Sequence, residues 1–203
     1  TAMGLVPLGQ ALLREGLQPG DELWVSGSLG DGLYALKHKP RAKKLLWPQP
    51  RLALGQALRN QRLAHAAIDI SDGLASELGH LLERSQARSQ GLELTAHVHL
   101  QSLSQCLGPE LQAAVNRNEL DLQQACLLAA RSGDEYELLF AAPLAARPAI
   151  LALALQLNLG LTPIGRVDLR QACPAGQPAS TDMAQSRWYG LDGHALSLSQ
   201  DAL

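Results

Sequence analysis

The chain has 203 residues, 46% of them hydrophobic and 18% charged, with a formal net charge of −2. That length holds one domain, or one domain plus a remnant of another, and the near-neutral charge gives no reason to expect nucleic acid or an anionic membrane as partner. Cys106, Cys126 and Cys173 are odd in number and widely spaced, which argues against a disulfide framework and against a paired-cysteine metal site. No run approaches the ~20 apolar residues of a membrane span, and nothing at the N-terminus resembles a signal peptide, so cytoplasm is the expected location.

In chain order, residues 9–15 read as a helix stopped by Gly16, and 22–26 as a strand after the Pro19-Gly20-Asp21 turn. Residues 32–39 and 52–61 read as helices. Residues 67–70 form a short apolar strand, and 73–86 a helix with its apolar stripe at Leu74, Leu78, Leu81 and Leu82. Residues 92–100 alternate and read as a half-buried strand. Helices are expected over 109–115, 120–130 and 145–157, and strands over 136–141 and 162–167. Residues 171–186, rich in Gly, Pro, Ser and Gln, read as loop. Mixed order of this kind predicts an α+β (three-layer α/β) fold, a mixed β-sheet covered by helices.

The stretch Ile68-Asp69-Ile70-Ser71-Asp72-Gly73-Leu74 is the most informative. It sets two carboxylates and a hydroxyl where a strand ends and a helix begins. A helix N-terminus carries partial positive charge and free N–H groups, which suit a phosphate. Carboxylates three residues apart suit Mg²⁺, which takes oxygen ligands and bridges to substrate phosphates. The plainer alternative is that Ser71 and Asp72 cap the helix. A second motif, Ser132-Gly133-Asp134-Glu135-Tyr136-Glu137-Leu138, leads from a glycine turn through three acids into a strand. Alternation would put Asp134 and Tyr136 on one side and Glu135 and Glu137 on the other. Taken singly, clustered acids at a strand start read as a solvated edge that resists sheet-to-sheet pairing.

Together the two motifs resemble thiamine-monophosphate kinase, a family of the aminoimidazole ribonucleotide synthetase superfamily of ATP-using enzymes. The family pattern Ile-Asp-(Leu/Ile)-Ser-Asp-Gly-Leu stands intact at 68–74, and Gly-(Asp/Glu)-Asp-Tyr-Glu-Leu at 133–138, with Glu135 in place of the usual Asp. Further matches follow in linear order. They are Val6-Pro7-Leu8-Gly9-Gln10 with Arg14, Leu23-Trp24-Val25-Ser26-Gly27, Pro48-Gln49-Pro50-Arg51 and Pro163-Ile164-Gly165-Arg166. The likeness covers residues 3–168.

The resemblance implies the C-terminal domain fold of that superfamily over 21–203, with 1–20 a remnant of the N-terminal ATP- and Mg²⁺-binding domain and its connecting helix. It implies phosphorylation of thiamine monophosphate by ATP to thiamine diphosphate, assisted by Mg²⁺, with this piece inactive alone and the full-length protein a homodimer. Asp69 and Asp72 would ligate Mg²⁺. Arg14 and Ser71 would contact the nucleotide phosphates, and Asp134 the thiamine substrate. Leu191, in Trp188-Tyr189-Gly190-Leu191-Asp192, stands where the family carries an aromatic against the substrate ring; Trp188 or Tyr189 could take over that contact if the segment shifts. No covalent or general-base residue is implied. The alternatives are another ATP-using enzyme of the superfamily, or a non-catalytic remnant that binds a nucleotide or a partner.

Three lesser features carry plainer readings. Gly27-Ser28-Leu29-Gly30-Asp31-Gly32 follows a strand as phosphate loops do, but lacks a Gly-Lys-Ser/Thr ending and reads as a tight turn. His38, Lys39, Arg41, Lys43, Lys44 and Arg51 read as a solvated linker rather than a device that steers ATP. His97 and His99 share one strand face without a completing metal ligand, and read as surface residues.

Overall fold

The computed structural model describes residues 5–38, 43–89, 93–170 and 186–196. In chain order the elements are β1 (Asp21–Ser26), α1 (Asp31–His38), α2 (Lys43–Leu46), α3 (Leu52–Asn60), β2 (Ala66–Asp69), α4 (Leu74–Arg88) and β3 (Leu94–His99). Then follow α5 (Leu100–Leu103), α6 (Pro109–Asn116), α7 (Leu122–Arg131), β4 (Leu138–Pro143), α8 (Arg147–Leu157), β5 (Leu161–Leu169) and β6 (Ser186–Tyr189).

The strands make one mixed sheet in the order β2-β4-β1-β5-β3-β6. β3 and β6 run parallel and the other neighbours antiparallel. Alternation sends Ile68, Ile164 and Val98 to one face, where they join the apolar stripe of α4 (Leu74, Leu78, Leu81, Leu82) and α7 in the larger core. Trp24, Ala67 and Phe140 face the other way, under α3 and α8. Two helical layers around a sheet give the expected three-layer α+β architecture; the larger core is mostly aliphatic, and the smaller holds Trp24 and Phe140.

Three local expectations fail. No helix forms over 9–15. Gly9 and Gly16 have φ of +71° and +124°, outside helical geometry, and the stretch between them is too short to hold a helix by itself. The segment instead runs beside the edge strand β2, with the Ala67 N–H donating to the Leu13 carbonyl at 2.9 Å. Second, β4 begins at Leu138 and not at 136, because Asp134 and Tyr136 have φ of +56° and +52°. Third, the expected loop ends early. Ser186 to Tyr189 form a strand that buries Trp188 in the larger core. The rest of that loop, Cys173, and Lys39 and Arg41 of the basic stretch lie outside the described residues.

Candidate active site

The strand-to-helix turn after β2 is built by a buried acid. Gly73 is the N-cap of α4 at φ +116°, a conformation open to glycine, and a Cβ there would meet the Arg131 carbonyl oxygen at 2.9 Å. No side chain caps this helix, so neither Ser71 nor Asp72 serves as the cap. The turn is held from below. Glu77, only 3% exposed, reaches back so that its Oε1 accepts from Ser71 Oγ and from the Asp72 N–H, both at 3.2 Å.

The second motif comes alongside through the backbone. The Asp134 N–H donates to the Ser71 carbonyl, and the Tyr136 N–H to the Ile70 carbonyl, both at 2.8 Å; the Ile70 N–H donates to the Glu137 carbonyl at 2.8 Å. In the adjoining ladder Asp69 lies opposite Leu138. The two motifs therefore form one surface at the C-terminal end of β2.

Six acids divide there by role. Glu77, Glu135 and Glu137 are buried. Glu135 Oε1 accepts from the N–H groups of Gly30 and Gly32 at 2.7 and 3.0 Å. Those two donors are thus committed to a carboxylate, and between Gly27 and Gly30 Leu29 forms a parallel bridge with Leu107. Glu137 Oε2 accepts from Ser26 Oγ and Arg51 Nε, each at 2.6 Å, and its Oε1 from Arg51 Nη2. Arg51, read from sequence as part of a solvated linker, is thus a mostly buried partner, and this bidentate bond pushes its pKa up. Asp69, Asp72 and Asp134 are exposed. Asp134 accepts from the Tyr136 hydroxyl at 3.1 Å. That hydroxyl's pKa is raised, first by the bond to Asp134, with smaller contributions from Asp134, Asp69 and Asp72 as neighbouring charges. All three exposed carboxylates therefore lie within electrostatic reach of the Tyr136 hydroxyl.

Arg14 reaches Asp69 at 3.9 Å with both side chains about half exposed or more, a loose contact that leaves the guanidinium free to grip an anion. Ser71 comes with the acids, its hydroxyl bonded to Glu77 at 3.2 Å, longer than the usual O–H···O range. A pocket of about 490 Å³ opens beside Asp69, with Arg14, Arg51, Gln56 and Arg59 over an apolar floor that includes Leu12 and Leu138.

Leu191 is not brought to this surface. It packs against the larger core just beyond β6, and β2 and β6 are opposite edges of the sheet, five strand spacings or roughly 24 Å apart. Trp188 is buried there, and Tyr189 bonds His97 Nδ1 at 2.7 Å and stacks on His99. Neither supplies a ring at the acidic surface. His97 and His99, read as plain surface residues, belong to this ring cluster, with Asp168 3.7 Å from His97. The sequence reading missed Glu77 as a builder of the site. An acid four positions after a helix-starting glycine was its only signal.

Among the described residues no group of three or more His, Cys, Asp or Glu is arranged to hold a metal ion by itself. Two exposed carboxylates with hard oxygens fit Mg²⁺ in its common mode, in which substrate phosphates and water complete the shell.

Sheet order, helical layers and this edge-strand acidic surface define the C-terminal domain fold of the aminoimidazole ribonucleotide synthetase superfamily. The crystal structure of the hydrogenase maturation protein HypE of Escherichia coli shares that fold at TM-score 0.65 and 21% identity, over 97% of this chain and 54% of that one. No protein-family model matches the chain. Curated relatives do. The thiamine-monophosphate kinase of Escherichia coli K12 is 34% identical over 209 residues, 95% of this chain and 58% of its own length. That of Haemophilus influenzae is 36% identical over 83% of this chain and 50% of its own. The crystal structure of thiamine-monophosphate kinase from Stenotrophomonas maltophilia K279a superposes at TM-score 0.70 with 35% identity, covering 94% of this chain and 56% of that one. By these likenesses the chain belongs to the thiamine-monophosphate kinase family, and it spans little more than half the length of the relatives it matches. No helix among the described residues is long and apolar enough to cross a membrane.

Proposed function

We propose that this chain forms part of a kinase that phosphorylates thiamine monophosphate with ATP. A ThiL structure of the same fold, at TM-score 0.62, was solved in complex with AMPPCP and TMP. The observation that carries the reading is the division among the six acids: Glu77, Glu135 and Glu137 are buried and bonded within the fold, while Asp69, Asp72 and Asp134 stay exposed at one strand end.

The nucleophile is a phosphate oxygen of thiamine monophosphate, already anionic near neutral pH. It forms the new P–O bond to the γ-phosphorus of ATP as the bond to the bridging β,γ-oxygen breaks, leaving ADP and thiamine diphosphate. No general base is required. The difficulty is the approach of two anions, so the work is positioning and charge neutralisation. Asp69 and Asp72 would hold Mg²⁺, which when bound neutralises phosphate charge. Arg14 and Ser71 bind nucleotide phosphate oxygens, and Asp134 binds the cationic substrate. Positioning rests on Glu77 and Glu135, which hold the two turns that present these groups. We place the protein in the cytoplasm, as a homodimer in its full-length form, and assign the piece alone no turnover.

The test is thiamine diphosphate formation from thiamine monophosphate and Mg-ATP, by this chain alone and by the product of its complete gene. Turnover by the complete product that Asp72→Ala lowers by at least about 100-fold, with the fold intact, supports the reading. A folded complete product that binds ATP and makes no thiamine diphosphate rejects the substrate, and turnover by this chain alone rejects its inactivity.

A further inference from the structure

Tyr136 stands out because a bulky residue rarely adopts its backbone conformation. Its φ is +52°, in the left-handed region that short polar residues such as Asp134 (φ +56°) enter far more easily. The surroundings impose it. The Tyr136 N–H is held by the Ile70 carbonyl at 2.8 Å, and on either side Glu135 and Glu137 are buried and bonded. Strain of this kind persists where the neighbouring structure over-determines it, and it concentrates at sites of function.

The conformation turns the ring outward. Tyr136 is 42% exposed and joins neither apolar core. Its hydroxyl donates to Asp134 Oδ1 at 3.1 Å, so ring and carboxylate are presented together. The chain has seven aromatic residues in all. Trp24, Phe140 and Trp188 lie in the cores, Tyr34 is buried against His38, and Tyr189 is engaged with two histidines at the opposite sheet edge. Trp47 is exposed, but it stands between α2 and α3. Among the described residues, Tyr136 is the aromatic bonded to an acid of that surface.

We infer that Tyr136 is a substrate-binding residue whose ring face receives the permanent cation of the substrate's five-membered ring while Asp134 balances its charge. This rests on the function proposed above. A quaternised ring nitrogen over an aromatic face is attracted by the ring quadrupole, and a carboxylate beside it adds direct charge attraction. The bond from the Tyr136 hydroxyl holds Asp134 next to the ring, which makes one two-part cation receptor.

The test is steady-state kinetics and calorimetric binding with the product of the complete gene. Tyr136→Asn tolerates the left-handed backbone and removes the ring. It should raise KM and Kd for thiamine monophosphate about tenfold and leave KM for ATP within about twofold. Tyr136→Phe should recover most of the lost affinity. With an analogue whose five-membered ring is neutral, wild type and Tyr136→Asn should bind equally. Equal weakening by Asn and Phe would overturn the inference in favour of the hydroxyl, and so would an unchanged KM in Tyr136→Asn. Wild-type protein that neither phosphorylates nor binds thiamine monophosphate would overturn the proposed function itself. Thermal unfolding of each variant separates these outcomes from loss of fold.

Discussion

The Asp134 N–H and the Ser71 carbonyl meet at 2.8 Å, and this bond brings two acidic motifs that are far apart in the chain to one strand end. The approach is possible because Gly133 has no side chain. A Cβ there would lie 2.8 Å from the same Ser71 oxygen. Gly133→Ala must push the motifs apart or strain the turn, and should destabilise the protein by about 1–3 kcal/mol. It should also lower any phosphoryl transfer more than the stability loss explains. Urea unfolding beside turnover at a temperature well below the midpoint measures both; an unchanged midpoint would mean that the two turns are not in fact wedged together.

Glu77 supports a second prediction. Its buried carboxylate accepts from Ser71 Oγ and the Asp72 N–H. Glu77→Ala removes the charged acceptor of both bonds and loosens the turn that presents Asp72, at a cost of about 1–3 kcal/mol. Glu77→Gln keeps an acceptor oxygen in place and should cost less than the alanine variant. Chemical denaturation of the pair reads the order, and equal costs would show that the carboxylate serves only as filler.

Much of this arrangement was legible in the sequence, and the exceptions share a cause. The apolar stripe of α4 and the alternation of β3 are periodic signals carried by neighbouring residues, and the first motif lies, as read, where a strand gives way to a helix, while the second reaches its strand only at Leu138. What failed depends on partners far away in the chain. Glu135 and Glu137 read as a solvated edge because acids usually are, whereas their burial depends on Gly30, Gly32, Ser26 and Arg51. Residues 9–15 carry a helical pattern, but Leu12 packs against the smaller core and the Leu13 carbonyl bonds β2 from a non-helical segment. Leu191 was assigned by motif order alone, and motif order does not show that β6 is the far edge of the sheet.

The Arg51–Glu137 pair yields a third prediction. The Arg51 and Glu137 side chains are 23% and 4% exposed, and Ser26 shares the carboxylate. Arg51→Ala leaves a buried charge without its main partner and should cost about 3 kcal/mol. Arg51→Lys should recover only part of that, because an ammonium cannot reproduce the two-pronged contact. A double variant, Arg51→Met with Glu137→Met, should be less destabilised than Arg51→Ala alone, since it buries no unpaired charge. Equilibrium unfolding of the three gives the ranking, and a double variant worse than the single would show that Glu137 matters chiefly through Ser26.

His97 gives the pH dependence. Burial pushes its pKa below the ordinary value of 6.5; Asp168 opposes the shift, while Arg187, Arg166 and His99 add to it. The folded protein therefore holds His97 neutral at a pH where the unfolded chain already protonates it. Between its folded value and 6.5 the unfolded state binds more protons, so stability falls as pH drops through that window and is retained above it. His97→Asn keeps a polar group opposite the Tyr189 hydroxyl and removes the titration. Unfolding free energy measured from neutral pH downward should fall less steeply in this variant than in the wild type. Parallel curves would mean that Asp168, 3.7 Å away, compensates the burial and that the ring cluster at the β3–β6 edge is indifferent to protonation.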